Sequence, residues 1–320
     1  MHFSSNGFCV DAIYCCLEIV ITPTMQPWVV AMALATLMCF TSTCYFFQIP
    51  EEIRKKESSQ AAALGIWGPP DAEFNWCEED YQLSEWIAEP VNTASCVAMI
   101  LLPLLFLATH EATGDVVTIA CMEVVIAIGS MLFHATLRYS MQLADEIPMI
   151  WYVAAVVCSC LKRLKGLNVH FWAYGWVAIL SIVIIATEQH SLLHEIFRGL
   201  MTLSFSSGLV VIGWGISAMA SRLAAQEDKG RRAGKAAARV LQAALLMFAL
   251  SVVSWLLDNY HCTRLRHLPG GIPYPHLHTW WHVFIAVTLH CIMVLLHMDS
   301  YRHSAHLDLR FLAGLPVVHA

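Results

Sequence analysis

Charge is what this chain has little of. Lys, Arg, Asp and Glu make up 13% of its 320 residues, about half of what a soluble domain carries, and 58% of the residues are hydrophobic. That shortage excludes an ordinary water-soluble globule and points to a polytopic membrane protein. The first apolar run is preceded by no basic cluster, only Asp11 and Glu18, which argues against a cleaved secretory peptide. None of the 12 cysteines has CxxC or zinc-ribbon spacing; most lie inside apolar runs, where Cys acts as a small apolar residue. There is no internal repeat, no low-complexity tract and no stretch that reads as a soluble catalytic domain. Any chemistry therefore lies in or against a helical bundle. The net charge is −6; no nucleic-acid partner is expected, and no obligate protein partner is evident.

What the chain does have is long apolar segments. Spans are expected at roughly 28–48, 87–108, 116–137, 142–161, 169–187, 196–220, 238–257 and 277–297, each near the ~20 residues that cross the hydrocarbon. The expected architecture is an all-α membrane protein: a seven-transmembrane-helix bundle with an additional N-terminal transmembrane helix. Three regions follow, an N-terminal extension with a polar linker (1–66), the seven-helix core (67–297) and a cytosolic tail (298–320). Lys162, Arg163 and Lys165 follow one span, and Arg222, Lys229, Arg231, Arg232, Lys235 and Arg239 follow another on the same side by parity. The positive-inside rule makes that side cytosolic, and the loops near 49–86, 138–141, 188–195 and 258–276 then face the lumen or exterior.

Ionisable groups within spans are costly and mark functional sites by default. Ser130 and His134 stand four residues apart in GSMLFHATLRYS, Asp145 lies one turn into MQLADEIPMIW, and His278 and His282 open the last span in HLHTWWH. Parity puts all five in one leaflet. An HxxxH pair with a third His from another helix makes a three-protein-ligand zinc site with one position open, the pattern of catalytic zinc. Asp145 then suits the general base and Ser130 a donor to an oxyanion. Haem-binding helices also use His pairs, but only one helix has such a pair at this depth. His170, His190, His194, His290 and His297 read as packed residues. Glu123, in mid-span, reads as lying on a different face from His134 and receives no role.

A second group lies in NWCEEDYQLSEWIAEPVN, where Asn75, Glu78, Asp80 and Glu89 supply oxygens within 15 residues and the Trp76 carbonyl adds another. Hard oxygen ligands suit Ca²⁺; a merely solvated acidic loop is the plain alternative. Cys77 and Cys262 both sit just outside the membrane on the expected lumenal face, an oxidising compartment, and are expected to form a disulfide, the alternative being two free thiols.

The stretches WGPPDAEFNWCEEDYQLSEWIAEPVNT, GSMLFHATLRYSMQLADEIPMIW, SWLLDNYHC and LHTWWHVF resemble the alkaline ceramidase family, integral-membrane amidases of the wider group that includes adiponectin receptors. The resemblance spans about 67–297. It implies zinc ligands at His134, His278 and His282, catalytic partners at Ser130 and Asp145, and a structural or regulatory Ca²⁺ at Asn75, Trp76, Glu78, Asp80 and Glu89. It further implies hydrolysis of the N-acyl bond of ceramide or phytoceramide to a sphingoid base and a fatty acid, in an endoplasmic reticulum or Golgi membrane. One departure is visible. The family commonly has Asp where this chain has Asn75 and Asn where it has Asp80, an exchange that conserves ligand charge. A receptor-like member of the same superfamily, with zinc but a signalling output, is the rival reading.

Overall fold

In the computed structural model, residues 65–225, 230–303, 308–312 and 315–319 are described. The span expected at 28–48 lies outside them. The body is helical: α1 (Pro90–Ser95), α2 (Val97–Thr109), α3 (Gly114–Thr136), α4 (Tyr139–Lys165), α5 (His170–Ala186), α6 (Leu192–Ala224), α7 (Gly230–Arg266) and α8 (Leu277–Ser300). Beyond α8, β1 (Asp308–Leu312) and β2 (Leu315–His319) pair as an antiparallel hairpin. Six of the helical segments (α1 and α2 counted as one) are long and apolar enough to cross a membrane, and α5 is a shorter apolar helix of 17 residues. Leu101, Val125, Ile182, Ile185, Leu203 and Leu246 point outward and remain exposed, as a lipid-facing surface requires. The protein is a multi-pass membrane protein.

The most extensive pairings are α3 with α4 and α7 with α8, while α5 packs chiefly against α4 and α6. The α3–α4 turn is tight. Leu137 ends α3 in the left-handed region (φ 50°) and Arg138 returns to extended backbone before α4 begins. A non-glycine residue tolerates that conformation only when its surroundings hold it. Here Leu137 is fully buried, and its carbonyl accepts hydrogen bonds from Asp71 and Ala72. Because the turn is so short, the end of α3 and the start of α4 lie side by side. Their contact is closer than side chains normally permit: a Cβ on Gly129 would sit 2.1 Å from the Ala144 carbonyl oxygen.

Residues 65–89 form a cover over this end. Its backbone follows the last turn of α3, with Ala88 N–H donating to Ala135 O (2.9 Å) and Glu89 N–H to His134 O (3.0 Å). A disulfide joins Cys77 in the cover to Cys262, beside the break in α7 at His261, with the Cα atoms 5.3 Å apart. Arg266 adds hydrogen bonds to the Cys77 carbonyl (2.8 Å) and the Glu78 carbonyl (3.2 Å). The opposite end is tied by charge. Arg163 bonds Asp115 (2.7 Å) and Arg222 pairs with the fully buried Asp299, which joins α3 to α4 and α6 to α8.

Candidate metal centre

Three imidazoles meet under the cover. His134 from α3 and His278 and His282 from α8 are each at most 2% exposed. Their ring centroids lie 5.0 Å (His134–His278), 5.0 Å (His134–His282) and 4.6 Å (His278–His282) apart. The HxxxH spacing stacks the α8 pair on one face, and the tight α3–α4 turn brings His134 to the same level.

Each ring is held from behind. His134 Nδ1 is 2.5 Å from Glu89 Oε2, and His282 Nδ1 is 2.7 Å from Ser95 Oγ. That leaves Nε2 of both rings as the atom to face a cation, the arrangement in which an outer partner fixes the tautomer of a metal-binding His. The His278 ring lies flat on Trp76, with centroids 3.6 Å apart, and its buried Nδ1 has no hydrogen-bond partner. Three desolvated imidazoles in mutual contact, one of them with an orphaned nitrogen, fit a divalent transition metal. Cys96 also lies here; its Sγ and one nitrogen each of His134 and His282 fall within 4.8 Å of one another. Cys96 approaches His282 at Nδ1 (3.8 Å), the nitrogen that Ser95 already engages. His278, stacked on Trp76 with a free buried nitrogen, is the third imidazole beside them.

Ser130 and Asp145 stand beside these rings. The Ser130 side chain lies close enough to the Asp145 carboxyl, and to the Cys96 thiol, to interact with either. The close approach at Gly129 makes this contact possible, since a Cβ there would also meet Asp145 N at 2.9 Å. Both residues, with His278 and His282, line a cavity of about 230 Å³ whose remaining wall is largely apolar, including Met99, Phe205, Leu209, Phe248 and Leu289.

The acidic loop is built around two carboxylates. Glu78 accepts hydrogen bonds from the backbone N–H of Val91 and Asn92, both at 2.8 Å, at the N-terminus of α1. Glu89, fully buried, accepts from Trp76 N–H (3.0 Å), Asn92 Nδ2 (3.2 Å) and His134 Nδ1. Asn75 Nδ2 donates to Asp80 Oδ2 (2.9 Å), whereas Asp80 Oδ1 is buried without a partner. Burial first, then the nearby Glu89 carboxylate, raise Asp80 from 3.8 to about 6. Crowded carboxylates with an orphaned oxygen fit a hard cation such as Ca²⁺. Glu89 touches both groups of residues.

Several contributors escape sequence reasoning. Asp258 accepts from Cys77 N–H (3.1 Å), from His278 N–H (3.2 Å) and from the Tyr274 hydroxyl, which fixes the cover and the start of α8 to α7. Its partner Cys77 is 181 residues away, so nothing local signals the contact. Glu123 needs correction. It precedes Ser130 by seven residues and His134 by eleven, which is two and three turns, so it shares their face.

Comparison with known proteins agrees with this geometry. The profile of the family described as Ceramidase matches residues 68–312. Among curated relatives, "Alkaline ceramidase 3" of Mus musculus is 27% identical over 68% of this chain and 80% of its own length. "Alkaline ceramidase" of Drosophila melanogaster is 28% identical over 71% and 77%, and that of Arabidopsis thaliana 28% over 71% and 83%. On the strength of that match across the helical core, the chain belongs to the ceramidase family.

Proposed function

We propose that this protein is a zinc-dependent amidase that hydrolyses the N-acyl bond of ceramide or phytoceramide, releasing a sphingoid base and a fatty acid. The observation that carries the reading is an apolar cavity lined by Ser130, Asp145, His278 and His282, with the His134 ring packed against the two other imidazoles. The relatives named as alkaline ceramidases support the substrate class. When bound, zinc supplies Lewis-acid activation of the attacking water and of the amide carbonyl. Asp145 takes the proton from that water and returns it to the leaving amine. In this reading the Ser130 hydroxyl donates to the ionised Asp145 before the transfer. Once Asp145 carries the proton it becomes a donor itself, and Ser130 is released to donate to the oxyanion. The apolar wall holds hydrocarbon.

In the same reading, Asn75, the Trp76 carbonyl, Glu78, Asp80 and Glu89 hold Ca²⁺, and α5 completes a seven-span core. The metal centre faces the lumen of the endoplasmic reticulum or Golgi. The basic residues Lys162, Arg163, Lys165 and Arg222 at the far end of the bundle and the disulfide at the near end support that orientation. The test is metal analysis of detergent-purified protein beside a ceramide hydrolysis assay. His278→Ala and His282→Ala each lose zinc and activity, whereas His290→Ala, further along α8, keeps its zinc. Full activity in both of the first two variants would overturn the assignment.

A further inference from the structure

Ser130 and Asp145 have a counterpart deeper in the membrane. α3 and α4 run antiparallel, so seven residues back along α3 and seven forward along α4 lead from that pair to Glu123 and Tyr152. Seven residues are nearly two turns, so both groups stay on the same faces, about 10.5 Å further from the metal centre. Glu123 is fully buried and Tyr152 is 4% exposed. Neither carboxyl oxygen of Glu123 has a hydrogen-bond partner, and nor does the Tyr152 hydroxyl. The two lie within electrostatic reach of one another. Tyr152 lines the cavity, together with Ile126, Thr288 and Ile292.

This is an expensive arrangement for a protein to keep without purpose. Buried polar groups are almost always paired, and a carboxyl left alone in hydrocarbon costs more than one facing water. The Thr288 hydroxyl, which also lines the cavity, is already satisfied by Phe284 O (2.9 Å). What would satisfy a carboxyl and a phenol at once is a group that both donates and accepts, entering through the cavity.

We propose that Tyr152, with the buried Glu123 behind it, forms a polar floor to the substrate cavity that binds a hydroxyl carried on a hydrocarbon chain of the lipid, about 10 Å from the scissile amide. The proposal rests on the ceramide-hydrolysing reading above and adds a selectivity to it. The floor takes no part in bond cleavage. A fully apolar chain reaching this depth meets two unsatisfied polar groups, whereas a chain with a mid-chain hydroxyl meets two partners. The hydroxyl's source is either the acyl chain or the sphingoid chain, depending on which one enters the cavity.

The experiment uses the full-length protein and three lipids: a ceramide with unsubstituted chains, one with a mid-chain hydroxyl on the acyl group, and one with it on the sphingoid base. The readout is the ratio of kcat/KM for each hydroxylated lipid to that for the plain one, within a single enzyme preparation, so a general loss of activity cancels. In the wild type one of the two ratios exceeds unity by roughly five- to tenfold, the gain of a net hydrogen bond, and which one identifies the chain. Glu123→Leu brings that ratio to unity or below and raises kcat/KM for the plain ceramide. Tyr152→Phe, which conserves shape, lowers the ratio part of the way. Glu123→Gln, which can still donate and accept, retains most of it. Ratios near one in the wild type, or ratios unmoved in all three variants, overturn the floor and leave a buried water as the occupant. Failure of the wild type to cleave any of the three lipids refutes the amidase reading itself, and the floor with it.

Discussion

Gly129→Ala is the smallest change that tests whether helix spacing sets the chemistry. The new methyl group would lie 2.1 Å from the Ala144 carbonyl oxygen, and α4 has to retreat about 1.3 Å to restore an ordinary contact of 3.4 Å. The obstacle is backbone on both sides, so no rotamer change relieves it. Overpacking of this kind typically costs about 1–3 kcal/mol, which a protein with a disulfide and ion pairs at both ends of its bundle should survive. Activity should suffer more. Asp145 follows Ala144 directly, and a shift of about 1 Å at a catalytic group costs on the order of 10²-fold in rate. The assay pairs kcat for ceramide with thermal stability in detergent. A fall of roughly 100-fold in kcat with only a modest loss of Tm, zinc still bound, is the expected result. Gly175→Ala in α5 is the matched control, since nothing lies within 4 Å of a Cβ there. A Gly129→Ala enzyme with wild-type kcat would refute the argument that this contact positions Asp145.

Asp145→Asn keeps shape and zinc but removes the proton acceptor, so kcat falls by about 10²–10⁴-fold; an unchanged rate would hand the proton to another group. Glu89→Gln removes a charge from the acidic loop and weakens the partner of His134, so calcium and zinc affinity should both drop, and isothermal titration with each metal separates the two losses. Calcium response should depend on pH through Asp80. In cation-free protein its raised value means the folded chain holds the proton more tightly, which favours folding below 3.8 and is lost as pH rises through about 6. A melting curve taken with chelator therefore falls between about pH 4 and 7, added Ca²⁺ restores it near neutrality, and equal Ca²⁺ responses at about pH 5 and 7 would reject Asp80 as a ligand.

The helices are legible because twenty apolar residues with sparse charge announce a span whatever its neighbours are. Their ends are not: α7 runs Gly230–Arg266 where hydropathy alone marks 238–257, because its alanine-rich start and polar last turns are helical without being greasy. The meeting of His134 with His278 and His282 could be anticipated because parity assigns each to one leaflet. Asp258 could not, since both its oxygens serve backbone groups brought in by tertiary structure. Nor does the sequence signal the role of Gly129, whose value lies in what its absent side chain allows across the helix pair. Glu123 lies on the face of Ser130 and His134 because separations of seven and eleven residues are close to whole numbers of helical turns.

The most enclosed of the spanning helices is α8, with 67% of its apolar window buried, and it is also the last of them in the chain. Synthesis proceeds from the N-terminus, so the earlier helices must enter the bilayer before the one they surround exists. The covalent link between Cys77 and Cys262 closes a ring of chain that stops short of α8, so oxidation can precede its arrival. Newly made protein would thus pass through a clasped but hollow intermediate, with only one of the three imidazoles in place. On the zinc reading proposed above, the metal site is complete only after α8 has arrived, because that helix carries two of its three imidazoles.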